Sequence, residues 1–341
     1  MATTNSTSVG APNANAEISV LIKTDYESYM WDRAVANFVH ARFGKPATIA
    51  RGKGGKKEWR RLSAMTAQTT PLDEDNTPDA IALTWEDKQA EPLEYGAWVR
   101  YTHFLEFRSI DPLIMETAQL LGENCGDTID KITRDELASG FTVVQYQNGL
   151  ANLAAVTSGL YFTYETLTRA YATARAANAR PLEGFGKPIL ILHPHVVADL
   201  ANDTTVMKGW DNRGRLGQGN PYEEGFIGEL WGCLVYESSN ATITTQVAAP
   251  DIYDSLLIFN NAYGVVGLAE NTAMMPEPDQ MGNNTGGTFS SPVELVIREK
   301  GWNDFFGRFG GLGWYATHDT LVLDPTFAVR IRTASRLGSA T

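Results

Sequence analysis

The chain has 341 residues, 43% of them hydrophobic and 20% charged, with a formal net charge of −12. That composition supports a sizeable core and excludes global disorder. An acidic surface repels nucleic-acid phosphate at long range, which argues against sequence-specific nucleic-acid binding.

The two cysteines, Cys125 and Cys233, lie in apolar stretches and read as buried free thiols. The N-terminus lacks a basic and then apolar leader, and no apolar run reaches the roughly 18 residues of a membrane span. A soluble chain assembled in a reducing host cytoplasm is expected, with no membrane partner.

In chain order, residues 1–17 are small and polar and read as a flexible arm. Tyr29, Trp31, Val35, Phe38 and Val39 then recur at helix-compatible spacing, which predicts a short arm helix before residue 44. From 45 to 92 a basic block (Lys45, Arg51, Lys53, Lys56, Lys57, Arg60, Arg61) precedes an acidic one (Asp73, Glu74, Asp75, Asp79, Glu86, Asp87, Glu91). The turn-rich tip between them, Thr70–Pro78, predicts a projecting β-hairpin. An isolated two-stranded hairpin is marginal in water, so it makes physical sense lying on a neighbouring copy of the chain. Lys56, Lys57, Arg60, Arg61, Asp73, Glu74 and Asp75 are therefore candidate inter-subunit contacts. For the basic block, plain solvation and contact with nucleic acid are the competing readings.

Tyr95–Leu105 is β-branched and aromatic enough for a strand. Asp111 and Pro112 then read as N-cap and first position of a long helix over about 112–138, closed by Ser139–Gly140. At 1.5 Å per residue it spans about 40 Å. Its stripe is Ile114, Ala118, Leu121, Cys125, Ile129 and Ile132, of which Ile114, Leu121, Ile129 and Ile132 are expected to form the helix core. The stripe should pack on return strands around Val293–Ile297 and Leu321–Ile331. Gly122 and Gly126 each weaken the helix by about 1 kcal/mol and would let another backbone approach closely.

The second half is mixed. Helices are expected over Thr163–Ala177 and from His193-Pro194-His195 to about Asn202. Strands are expected at Pro188–Leu192, Leu230–Glu237, Ser255–Phe259 and Val293–Ile297, with two more in the tail from Trp314 to Ile331, joined at Asp324-Pro325. Glycine-rich loops cover 217–228 and 274–290. The fold class is α+β.

Catalytic motifs are weak. His193 and His195 with Asp199 could ligate zinc, but a strand-to-helix corner with Pro194 at its start explains the same letters. There is no Gly-x-Ser-x-Gly turn, Gly52–Lys57 lacks the spacing of a phosphate loop, and Gly307–Gly313 lacks a strand–turn–helix context. No catalytic, cofactor or metal site is expected.

Taken in order, several strings carry a resemblance: Leu93-Glu94-Tyr95-Gly96-Ala97-Trp98-Val99-Arg100-Tyr101-Thr102, Leu190-Ile191-Leu192-His193-Pro194 leading into Leu200-Ala201-Asn202-Asp203, Ile227-Gly228-Glu229-Leu230-Trp231-Gly232, and Gly313-Trp314-Tyr315 with Leu321-Val322-Leu323. Their order around a long helix resembles the major capsid proteins of tailed bacteriophages, the fold shared with encapsulins and the herpesvirus capsid floor. Within that group the schitovirus-like podovirus coats are the most similar subfamily. The resemblance implies an N-terminal arm (1–44), an extended loop (45–92), a peripheral domain (93–141 and 291–341) carrying the spine helix, and an axial domain (142–290). It implies a non-enzymatic shell protein without cofactors, forming hexamers and pentamers of an icosahedral virion capsid around double-stranded DNA, with portal, scaffolding and decoration proteins as partners. An acidic interior suits DNA that must slide without sticking. One branch of the fold cross-links subunits through a Lys–Asn isopeptide; Lys53, Lys56 and Lys57 lie in the corresponding region, with no recipient assigned. An encapsulin-like cargo compartment is the alternative shell, and a metal-dependent α/β enzyme using His193, His195 and Asp199 the alternative class.

Overall fold

A computed structural model of the protein describes residues 30, 34, 38–49, 54–62, 65, 67, 69, 71, 80–108, 113–150, 152, 153, 156, 157, 159–203, 226–246, 250–268, 293–298 and 308–338. Two sheets organise them. The first has five strands: β1 (Lys45–Ile49), β4 (Leu93–Thr102), β11 (Tyr263–Leu268), β12 (Val293–Arg298) and β13 (Phe309–Val322). Its centre is β13, which pairs antiparallel with β4 from Phe309 to His318, with β12 from Gly311 to Ala316, and with β11 from Asp319 to Val322.

The second sheet has seven strands: β5 (Val144–Tyr146), β6 (Ile189–Leu192), β7 (Phe226–Leu230), β8 (Cys233–Glu237), β9 (Ile243–Thr244), β10 (Ile252–Ile258) and β14 (Ala328–Ala334), in the order β5-β14-β10-β6-β8-β7 with β9 on β10. Every residue of β6 and β10 is buried, which fits their near-continuous apolar runs. A separate hairpin pairs β2 (Lys57–Leu62) with β3 (Trp85–Ala90). The helices are α1 (His103–Arg108), α2 (Leu113–Gly140), α3 (Tyr164–Ala176) and α4 (Pro194–Ala201). No helix among the described residues is long and apolar enough to cross a membrane.

The chain passes between the sheets twice, from β10 to β11 and from β13 to β14. The two crossings run side by side: Leu323 N and Asp324 N donate to Ala262 O at 2.9 and 3.1 Å, and Phe259 N donates to Phe327 O at 3.0 Å. The tail strands joined at Asp324-Pro325 thus exist, but they serve different sheets and do not pair with each other.

Other expectations are corrected. Lys45–Ile49 is not a hairpin arm: it lies parallel to β11, with Ile49 buried against Val266. The predicted strand Tyr95–Leu105 stops at Thr102, whose Oγ1 accepts a hydrogen bond from Leu105 N at 3.1 Å and starts α1. The capping side chain outweighs the β-propensity of Phe104 and Leu105. The predicted strand Leu230–Glu237 is part of a hairpin, because Trp231 (φ 52°) and Gly232 (φ 71°) form a two-residue left-handed turn between β7 and β8. The predicted long helix is one unbroken element through Gly122 and Gly126. It lies chiefly on β13, with β4 beside it, rather than on β12 and β14.

Candidate assembly surfaces: the hairpin and the spine helix

Antiparallel register explains the two charge blocks of the hairpin. Arg60 faces Asp87 and Arg61 faces Glu86 across the ladder. The ion pairs are Arg60–Asp87 at 3.4 Å, Arg61–Glu86 at 3.7 Å, Arg60–Glu58 at 3.2 Å and Lys56–Glu91 at 3.0 Å. All are about half exposed, so each contributes roughly 0–1 kcal/mol. Their main effect is to hold register, which a flat polar ribbon otherwise specifies weakly. Lys57 is half-buried at the start of β2. Asp73, Glu74 and Asp75 lie outside the described residues.

The root of the hairpin is bound firmly to the five-stranded sheet. Ile49, Ala90 and Val266 form a small buried cluster with Ala47, Trp59 and Leu321 against it. The Trp59 indole lies on Gly264 of β11, where a Cβ would come within 2.7 Å of the ring. Glu91 N donates to Asp319 Oδ2 at 2.8 Å. Burial pushes the Asp319 carboxyl up, and hydrogen bonds from Glu91 N and Thr320 N oppose the shift. Arg61 also donates to Asp324 Oδ2. Asp324 is buried, and its other oxygen accepts from Thr326 N at 3.0 Å and Thr326 Oγ1 at 2.7 Å. Arg61 therefore ties the hairpin to the crossing between the sheets, a contact that pattern reading missed because Asp324 resembles an ordinary Asp-Pro turn.

Farther from the root, Leu62, Met65, Ile81, Leu83 and Trp85 are all exposed. An apolar face on a two-stranded ribbon has nothing within the ribbon to cover it.

On the spine helix α2, Ala118, Leu121, Cys125 and Ile129 are buried against Leu312, Trp314 and Ala316, and Ile114 packs at the margin. Ile132 is only half-buried; Thr133 and Leu137 take the inward positions beyond Ile129, following the 3.6-residue period. At Gly122 the backbone of Met30 passes so close that a Cβ would collide with its carbonyl. The close approach expected of Gly122 is thus made by the N-terminal arm, at the helical residue Met30.

Beneath the helix lies a buried polar clasp. Asp130 accepts from Val39 N at 2.9 Å and His40 N at 2.6 Å, and its other oxygen meets His40 Nδ1 at 2.8 Å. Tyr263 Oη donates to His40 O, and burial raises the Tyr263 hydroxyl pKa well above the usual range. One helix turn on, Thr133 Oγ1 and His318 Nε2 are 2.9 Å apart. Burial holds His318 down to about 4, although the Asp130 charge pulls the other way. Sequence patterning offered no sign of this clasp, since its members are single polar residues far apart in the chain.

The histidine pair is occupied in structural work. His193 caps α4, its Nδ1 accepting from His195 N at 3.1 Å, and His195 Nδ1 lies 2.8 Å from Tyr253 Oη. Asp199 accepts from Arg336 N at 3.1 Å. Burial, with His195 beside it, depresses His193 to about 4, and burial pushes the Cys125 and Cys233 thiols up to about 12. Both thiols are inert at neutral pH. Among the described residues no three His, Cys, Asp or Glu are grouped to hold a metal ion.

The arrangement of docked hairpin, helix on sheet and second sheet is shared with known shells. The capsid of Ralstonia phage GP4 superposes with a TM-score of 0.64 at 13% identity, covering 87% of this chain and 88% of that one. The capsid of cyanophage P-SCSP1u gives 0.60 at 15% identity, over 87% and 88%. The SrpI encapsulin of Synechococcus elongatus gives 0.51 at 10% identity, over 87% of each chain. At these identities the likeness is one of fold. No curated protein matches the sequence. The family model described as phage capsid protein matches residues 85–331, from β3 through the first strands of the tail, and by that match the chain belongs to the phage capsid protein family.

Proposed function

We propose that this chain is the major capsid protein of a tailed bacteriophage, assembling into hexamers and pentamers of an icosahedral shell around double-stranded DNA. The observation that carries the reading is the hairpin: its root is fixed to the sheet by Trp59, Glu91 and Arg61, while its outer apolar face is left exposed. A rigidly rooted projection with an uncovered apolar face fits a lattice contact between copies. In this reading the arm (1–44), the hairpin, the peripheral domain with α2 and the axial domain play the parts that their counterparts play in capsid subunits. The hairpin proper is taken to begin after β1.

The sequence strings favour the schitovirus-like podovirus coats as the nearest subfamily. Portal, scaffolding and decoration proteins are the further partners, the packaged DNA is held without sequence-specific contacts, and assembly takes place in the host cytoplasm. An encapsulin-like compartment uses the same fold and differs in its contents. The test is electron microscopy and sedimentation of particles purified from infected cells, with the ratio of nucleic-acid to protein absorbance. Closed shells filled with DNA are expected. Protein-filled shells would favour the compartment, and a chain that stays monomeric or dimeric under all assembly conditions would overturn the proposal.

A further inference from the structure

The end of the five-stranded sheet opposite the hairpin carries a second exposed apolar feature. Thr102, Phe104, Phe107, Arg308 and Phe309 line a cavity of about 620 Å³. Phe107 is 83% exposed and Phe104 67%, on a helix of only six residues. Trp98, on β4, is 70% exposed. Large aromatic side chains this exposed on adjacent elements mark a contact surface rather than scattered surface residues.

The rim is basic. The Arg100 guanidinium lies 4.7 Å from the centre of the Phe309 ring, Arg308 lies 5.5 Å from the same ring, and Arg108 lies 5.1 Å from that of Phe104. The arginines present charge and a flat face while leaving the aromatic floor open.

The hairpin has the complementary chemistry. Ile81, Leu83 and Trp85 are exposed and occupy alternate positions, which puts them on one side of an extended segment. They follow Asp73, Glu74, Asp75 and Asp79 in the sequence. The hairpin of the same chain starts from the wrong end to fill the cavity. Its root sits at Asp319–Leu321 and the cavity at Phe309, the two ends of β13, about 30 Å apart at roughly 3.3 Å per residue.

We infer that the arginine-rimmed aromatic cavity at Thr102–Phe107 and Arg308–Phe309 is the seat for the Ile81–Leu83–Trp85 face of the hairpin of a second copy. This rests on the shell reading above and names the receiving surface. Two complementary patches at opposite ends of one subunit make a head-to-tail contact, which closes into rings or extends into a lattice. A face-to-face contact of two such cavities would bring one arginine rim against another, and like charges oppose it.

The test is a disulfide across the contact. Particles are prepared from Leu83→Cys, from Phe107→Cys and from the double variant, then oxidised and run on non-reducing gels. The native Cys125 and Cys233 are fully buried and do not compete. The double variant should give ladders of linked chains, and each single variant only monomer. A second variant, Phe107→Asp, should lower particle yield at least about tenfold, with the thermal melting of the free subunit unchanged. Dimers from Phe107→Cys alone would show the face-to-face contact and overturn the inference. Well-formed particles of the double variant without ladders, or of Phe107→Asp at full yield, would overturn it while leaving the shell reading intact. Failure of the unaltered chain to form particles would overturn both.

Discussion

The spine helix and the hairpin sit on the same sheet and use opposite strategies. The inward face of α2 is satisfied within the subunit: Ala118, Leu121, Cys125 and Ile129 bury their side chains, Asp130 accepts from the arm, and Thr133 meets His318. The hairpin is satisfied only at its root; beyond Trp59 and Arg61 it carries exposed ion pairs and uncovered apolar side chains. A subunit that must fold alone and then join a lattice needs both kinds of region, because each contact completed internally is one fewer available to a neighbour.

This contrast is open to direct attack, and the largest stability effect belongs to the helix. Ile129→Ala should cost the free subunit about 2–5 kcal/mol, since the site is fully buried and can collapse only partly. Urea unfolding that shifts by less than that range would mean the helix is not the internal anchor described here.

Next comes acid. His318 is held at about 4 in the folded chain against an ordinary value of 6.5. Above pH 6.5 both states are neutral and the full stability is present. As pH falls from 6.5 towards 4, the unfolded chain binds a proton that the folded one refuses. Stability should therefore drop by about 3 kcal/mol and level off below 4. His193 acts in the same direction. Denaturation curves of wild type and His318→Gln at several pH values check this, and the variant should have the flatter profile. Equal slopes would remove His318 from the clasp.

A smaller effect is expected at the hairpin root. Gly264→Ala puts a methyl group into the Trp59 ring and should cost about 1–3 kcal/mol. Hydrogen exchange should quicken in β2 and β3 and stay slow in α2. Equal protection everywhere would mean that Trp59 does not hold the root.

The smallest change in subunit stability belongs to Arg60→Glu, which breaks only exposed pairs worth about 0–1 kcal/mol. Paired with Arg61→Glu, the cost rises, because a carboxylate then faces the buried Asp324. The double variant should still fold yet lose particle formation, as read by sedimentation. Normal particle yield and salt tolerance would assign both arginines to the hairpin alone.

How far the sequence reaches can be judged residue by residue. Local periodicity and capping chemistry were sufficient for α2, for α4 with Pro194 at its start, and for the apolar strands β6 and β10. The alternating charge blocks announced a hairpin, because cross-strand pairing is a short-range rule. What escaped depended on partners distant in the chain or on a single dihedral. Lys45–Ile49 is a strand because β11 lies beside it, and nothing local distinguishes it from a hairpin arm. Trp231 turns the chain with a positive φ that few non-glycine residues adopt.

By itself, then, the sequence determined which segments are helical, which are apolar enough to be buried, and where opposite charges would meet across a ribbon. These follow from periods of two and 3.6 residues and from neighbours a few positions apart. Only the tertiary structure decided that β13 and β14 serve different sheets, that Arg61 reaches Asp324 at the crossing, and that His40 and Asp130 meet beneath the helix. Each of those contacts joins residues widely separated in the chain, and its energy exists only once packing has brought them together and excluded water.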